Sequence, residues 1–189
     1  MHRCQLVRRI VTAVWLAALA AAVPATAQNP APASRVDDAF LAAYFHDMDQ
    51  VADKLTDLAA AIPADHYDWR PQPGVRSVAE VYAHVVGANL FLAGALGAEA
   101  PEGLPRSLSS IQKKAEVARA LRLSLAHLRQ AVEEVRGQPL DRTVDLGREG
   151  TLAEVLFRAL AHLHEHLGQL VAYARSNDVV PPWSRSEGP

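Results

Sequence analysis

His162 and His166 stand four residues apart in the run Ala161-His-Leu-His-Glu-His-Leu-Gly-Gln169, and His84 lies inside an earlier apolar stretch. Four helical residues turn through about 400°, so the paired imidazoles leave one side of a helix with the spacing to grip one cation. Three neutral histidines with a fourth position open suit a catalytic zinc-type centre, because a structural zinc site closes its coordination shell. Zinc is the first choice, and nickel, iron and manganese also accept such nitrogen donors.

From spacing alone a second reading stands beside ligation, in which each histidine bonds a carbonyl or meets water at the end of a bundle. His84 favours ligation, since a lone imidazole among valines is awkward and ligands from facing helices converge in ferritin-type bundles. His164 points about 200° away from either member of the pair and is excluded. Glu80, one turn before His84, and Glu165, beside His166, are candidates to orient a ligand or move a proton, although capping and solvation explain them more simply. Gln169, three residues past His166, is the better candidate to brace a ligand from behind or to bond between helices. His46, His127 and His66 read as surface, groove and loop residues, and no residue is assigned a catalytic role. The chain carries no His-Glu-x-x-His, no Gly-x-Ser-x-Gly and no phosphate-binding glycine loop.

Four helices are predicted to position these groups. Phe40, Tyr44, Val51, Leu55, Leu58 and Ile62 recur at helical spacings, giving a first helix over about 36–62 that Pro63 closes. Ser77 with Glu80 three residues on is a capping box for a second, mostly apolar helix over about 78–97. Pro101 and Pro105 mark a long connector, expected to cross one end of a bundle, before a third helix over about 109–136. Thr151 caps the fourth, over about 152–176, and puts Val155, Ala159, His162, His166 and Tyr173 on one inward stripe. Gly87 and Gly168 are expected to let neighbouring helices approach closely. Thr143 to Leu146 is too short and isolated to read as a strand, so the fold class is an all-α four-helix bundle with a long connection between helices 2 and 3.

Arg3, Arg8 and Arg9, an apolar run from Ile10 to Val23 and Ala25-Thr26-Ala27 read as a signal peptide over 1–27, cleaved after Ala27, which implies a periplasmic or secreted protein. The apolar run is shorter than the roughly 20 residues of a spanning helix, so no stable membrane insertion is expected after cleavage. Residues 28–35 read as a flexible linker, 36–184 as one domain and 185–189 as a tail. Losing three arginines with the leader takes the formal charge from −2 to about −5, which leaves nothing basic for nucleic acid. The sole cysteine, Cys4, leaves as well, so any metal is held by nitrogen and oxygen.

Trp69-Arg70-Pro71, Gly74-x-Arg76-Ser77-Val78-Ala79-Glu80-Val81 followed by His84, His162-x-x-x-His166-Leu167-Gly168-Gln169, and Pro181-Pro182-Trp183-Ser184 together resemble the DinB superfamily of metal-dependent four-helix proteins. The resemblance spans about 36–184 and implies a divalent metal held by His84, His162 and His166. It also implies kinship with transferases and isomerases that use low-molecular-weight thiols, although Leu167 stands where many members carry arginine. The expectation is an exported metalloenzyme of transferase or hydrolase type, acting on a small molecule through a metal-activated thiol or water. The alternative is a non-catalytic metal- or ligand-binding bundle, with pairing of two copies through an apolar helix face as a further expectation.

Overall fold

The computed structural model describes residues 34–105 and 107–185, so the leader, most of the linker and residues 186–189 lie outside the described residues. Four helices form: α1 Asp38–Ala61, α2 Val78–Leu96, α3 Lys114–Glu134 and α4 Leu152–Ser176. α2 packs on α3 and α4, and α1 packs on the same two, so α1 and α2 lie across the diagonal of the bundle. The predicted all-α class holds.

Each helix start has a local cause. Asp37 accepts from the Phe40 amide at 2.8 Å to open α1, and Thr151 accepts from Glu154 to open α4. At α2 the reciprocal box is complete: Ser77 Oγ accepts from the Glu80 amide, and Glu80 Oε2 accepts from the Ser77 amide at 2.8 Å. α2 carries His84, so this cap also fixes where one site residue sits along the bundle. Ser77→Ala is expected to cost about 1 kcal/mol, read as a lowered urea midpoint at unchanged slope.

α3 begins five residues later than its apolar pattern suggests. Leu108–Ser110 form a separate 3-10 turn, with Ser110 Oγ bonded to the Ser107 carbonyl, and Glu116 then accepts from the Gln112 and Lys113 amides to start the helix. The connector does not carry α3 across the bundle either, because α3 packs directly beside α2. It folds back along α2 and seats Leu108 on Gly87, where an added Cβ would lie 2.6 Å from Leu108 Cδ1. The diagonal crossing is made instead by the loop between Ile62 and Ser77. Gly168, in contrast, faces open space and permits no close approach.

A two-stranded hairpin also forms, where no strand was expected. Thr143–Asp145 (β1) pairs antiparallel with Glu149–Thr151 (β2), Val144 facing Gly150. The turn works because Gly147 adopts φ 75°, and Asp145 Oδ1 takes its amide at 2.8 Å. β2 runs straight into α4, so the hairpin sets the entry of the helix that carries the histidine pair. Ser34 and Val36 bond through their backbones to Leu140, Gln138 and Gly137, so the chain is already anchored at the end of the stretch read as a linker.

The core is layered by α1 (Leu41, Met48, Val51, Leu55, Leu58), α2 (Val81, Tyr82, Val85, Val86), α3 (Leu121, Leu128, Val132) and α4 (Leu152, Leu156, Leu163, Leu170). Buried tyrosines satisfy their hydroxyls on helix carbonyls, Tyr44 on Leu156 at 3.0 Å and Tyr67 on Ala59 at 2.7 Å. By composition α2 is long and apolar enough to cross a membrane, yet in this fold it is the helix most enclosed by its neighbours.

Candidate metal centre

His84 projects from the middle of α2 and meets the pair on α4. Nε2 of His162 lies 3.1 Å from Nε2 of His84 and 3.1 Å from Nε2 of His166, and the three ring centroids are 4.4 to 4.9 Å apart. Their candidate ligand atoms all fall within 4.8 Å of one another. His166 is buried, while His84 and His162 are half-buried at the floor of an open cleft of about 670 Å³.

Hydrogen bonding behind the rings orients the cluster. His166 Nδ1 donates to Gln169 Oε1 at 2.8 Å, and Gln169 Nε2 donates to the Tyr173 hydroxyl at 3.0 Å. Tyr173 in turn sits edge-on to Trp69 with centroids 5.2 Å apart. With Nδ1 protonated, His166 presents a bare lone pair at Nε2. His162 then has one ring proton at most to set between two neighbours, and its buried Nδ1 has no partner among the described residues.

Those nitrogens fit a cation. Two donors at the usual zinc–nitrogen length in a tetrahedral shell are about 3.3 Å apart, close to the separations seen here. Burial first, then the neighbouring His166 and His84 rings, then Arg158 and Arg76, push the His162 pKa down to about 4. His84 is lowered as well, by burial, Arg76 and His166, against an opposite pull from Glu165. Both rings are therefore neutral at pH 7, the form that ligates metal.

The remaining candidates separate clearly. Gln169 accepts from His166 Nδ1 and lies behind that ring. Glu80 is turned away from the cluster, since one oxygen caps α2 and the other accepts from Arg70 Nη2 at 3.1 Å. Glu165 is exposed and lines the cleft. His164 points outward to Asp47 at 3.1 Å, and His46 bonds Gln50 on the surface. His66 and His127 are outside the cluster, each with a buried ring nitrogen that finds no partner among the described residues.

Arg76, Phe91 and Arg158 line the cleft too, and none of them is among the site residues expected from the sequence. Helical periodicity carried a signal for two of them. Arg158 is four residues before His162 and Phe91 seven after His84, so each shares a stripe with a histidine already chosen.

The fold agrees with what the chain is similar to. A DinB-like protein from Bacillus cereus superposes with a TM-score of 0.64 at 15% identity, covering 74% of this chain and 93% of that one. A DinB-like protein from Bacillus subtilis superposes with a TM-score of 0.55 at 20% identity, covering 79% and 94%. No curated protein matches the chain. Residues 47–170, from the middle of α1 to the last turns of α4 and so including all three clustered histidines, match the DinB superfamily, and the chain belongs to it.

Proposed function

We propose that the protein is an exported metal-dependent enzyme in which His84, His162 and His166 hold a divalent cation, zinc by first choice, and the cleft above them admits a small-molecule substrate. The observation that carries this reading is the meeting of three Nε2 atoms on the floor of an open cleft. When bound, the cation supplies Lewis acidity that makes a thiol or a water nucleophilic at neutral pH, which suits a transferase or a hydrolase. Gln169, backed by Tyr173, keeps His166 turned with Nε2 forward. Glu165 is the acidic side chain among the described residues lining the cleft, which supports it as the group that takes up or returns a proton. The leader pattern at 1–27 supports export to the periplasm or beyond, and the acidic mature chain supports the absence of a nucleic-acid partner.

Elemental analysis of protein purified without chelator, with assays of thiol transfer and of ester and amide hydrolysis before and after chelation, tests this reading. The expected result is about one divalent ion per chain and a turnover that chelation removes and added zinc restores. Metal without turnover would leave a binding bundle. No metal at all would sink the proposal.

A further inference from the structure

The walls of the cleft carry charge that the histidine cluster does not require. Arg76 comes from the residue before the α2 cap and Arg158 from the turn of α4 before His162, and both line the same cavity as the three imidazoles. Arg76 makes no ion pair among the described residues. Arg158 reaches Glu154 at 3.6 Å, but that carboxylate is already engaged by Arg148 through both of its oxygens. Against two guanidiniums the cleft offers one carboxylate, Glu165, so it is net positive before any cation is added.

The same cavity carries an apolar strip. Phe91 is 52% exposed on α2, seven residues beyond His84, and Leu92 lies beside it. Leu108, delivered by the connector onto Gly87, completes the strip. A half-exposed phenylalanine on a cavity wall gains from an apolar group laid against it. The cleft thus presents both cationic forks and an apolar surface to one ligand.

We propose that the cleft selects a small amphipathic oxyanion, its carboxylate or phosphate head held between Arg76 and Arg158 and its apolar body laid on Phe91 and Leu108. Guanidinium groups suit such heads because their planar N–H forks match two oxygens at once. This inference rests on the reading of the cleft as the substrate site, and its test runs with and without metal so that the two can fail separately.

Calorimetric titration of the purified protein with octanoate, octyl phosphate, 1-octanol and octylamine, each with and without EDTA, tests it. Octanoate or octyl phosphate is expected to bind at least about tenfold more tightly than octanol, and octylamine not detectably. The tighter of the two anions identifies the head group. Arg76→Gln and Arg158→Gln, both at exposed positions, should each erase about tenfold of that preference and leave octanol binding unchanged, while Phe91→Ala weakens every octyl compound. The preference should survive EDTA. Octanol binding as tightly as the anions, or anion binding indifferent to both arginine variants, overturns the proposal even if the protein holds metal. Conversely, an arginine-dependent preference in a protein that holds no metal supports this inference and counts against the metal reading.

Discussion

His84→Ala and His166→Ala are each expected to reduce bound metal from about one ion per chain to less than about a tenth, measured by elemental analysis after gel filtration. The effect is large because the proposed site offers three protein nitrogens and little else. Removing one leaves two nitrogens and solvent, a shell that releases its ion in dilute buffer. Gln169→Leu should act less severely. It leaves all three nitrogens in place but frees His166 to turn, which costs about 10- to 100-fold in metal affinity. Acid should mimic the ligand variants in wild-type protein, since each proton taken up by a ring removes a lone pair. Because the His162 pKa is pushed down to about 4 and His84 is lowered too, those two rings keep their lone pairs below the ordinary imidazole range, and bound metal should be lost completely by about pH 4. In the metal-free protein the same shift makes stability greatest above about pH 6.5. It falls as pH drops from there towards 4, because the unfolded chain takes up the proton that the folded His162 refuses. Metal content unaffected by either histidine substitution would show that the rings cluster for another reason.

The parts of this architecture that repeat were readable from the chain alone. Leu55, Leu58, Leu121, Leu128, Leu163 and Leu170 announce buried faces by their period, and Ser77 with Glu80 announces a helix start by chemistry confined to four residues. The histidine pair was readable for the same reason, since four residues of helix dictate a direction. Convergence of His84 with that pair depends on how α2 and α4 pack, and no local pattern encodes it; family likeness supplied what periodicity lacked. The β1–β2 hairpin was missed because three-residue strands show almost no alternation, while its real determinant is Gly147 at positive φ with Asp145 bonded to it. The course of the connector was missed because it turns on one close approach, Leu108 on Gly87, between residues 21 positions apart. Glu80 shows the converse. Its spacing to His84 was right for a ligand partner, but Ser77 and Arg70 hold both of its oxygens elsewhere.

Leu163→Ala is expected to lower unfolding free energy by about 3 to 4 kcal/mol while leaving the metal in place, the opposite signature to the histidine variants. Leu163 is fully buried, sits on α4 between His162 and His166, and points into the layer shared with the other helices rather than into the cleft. Truncation removes apolar contact and leaves a void that helices anchored at both ends cannot close. A domain of this size has about 5 to 15 kcal/mol to lose, so the variant still folds and its histidines still meet. Added zinc should then raise its melting temperature, because an ion at about 100 times its dissociation constant stabilises the native state by about 2.7 kcal/mol. The rise should vanish in the Leu163→Ala, His166→Ala double variant. Thermal melts of the four proteins with zinc and with EDTA separate the two roles of α4: Leu163 sets whether the helix stays in the bundle, and the histidines on either side set what the bundle holds. Equal zinc stabilisation with and without His166 would place the ion elsewhere, and a Leu163 variant no less stable than the parent would mean that α4 is not held by its buried face.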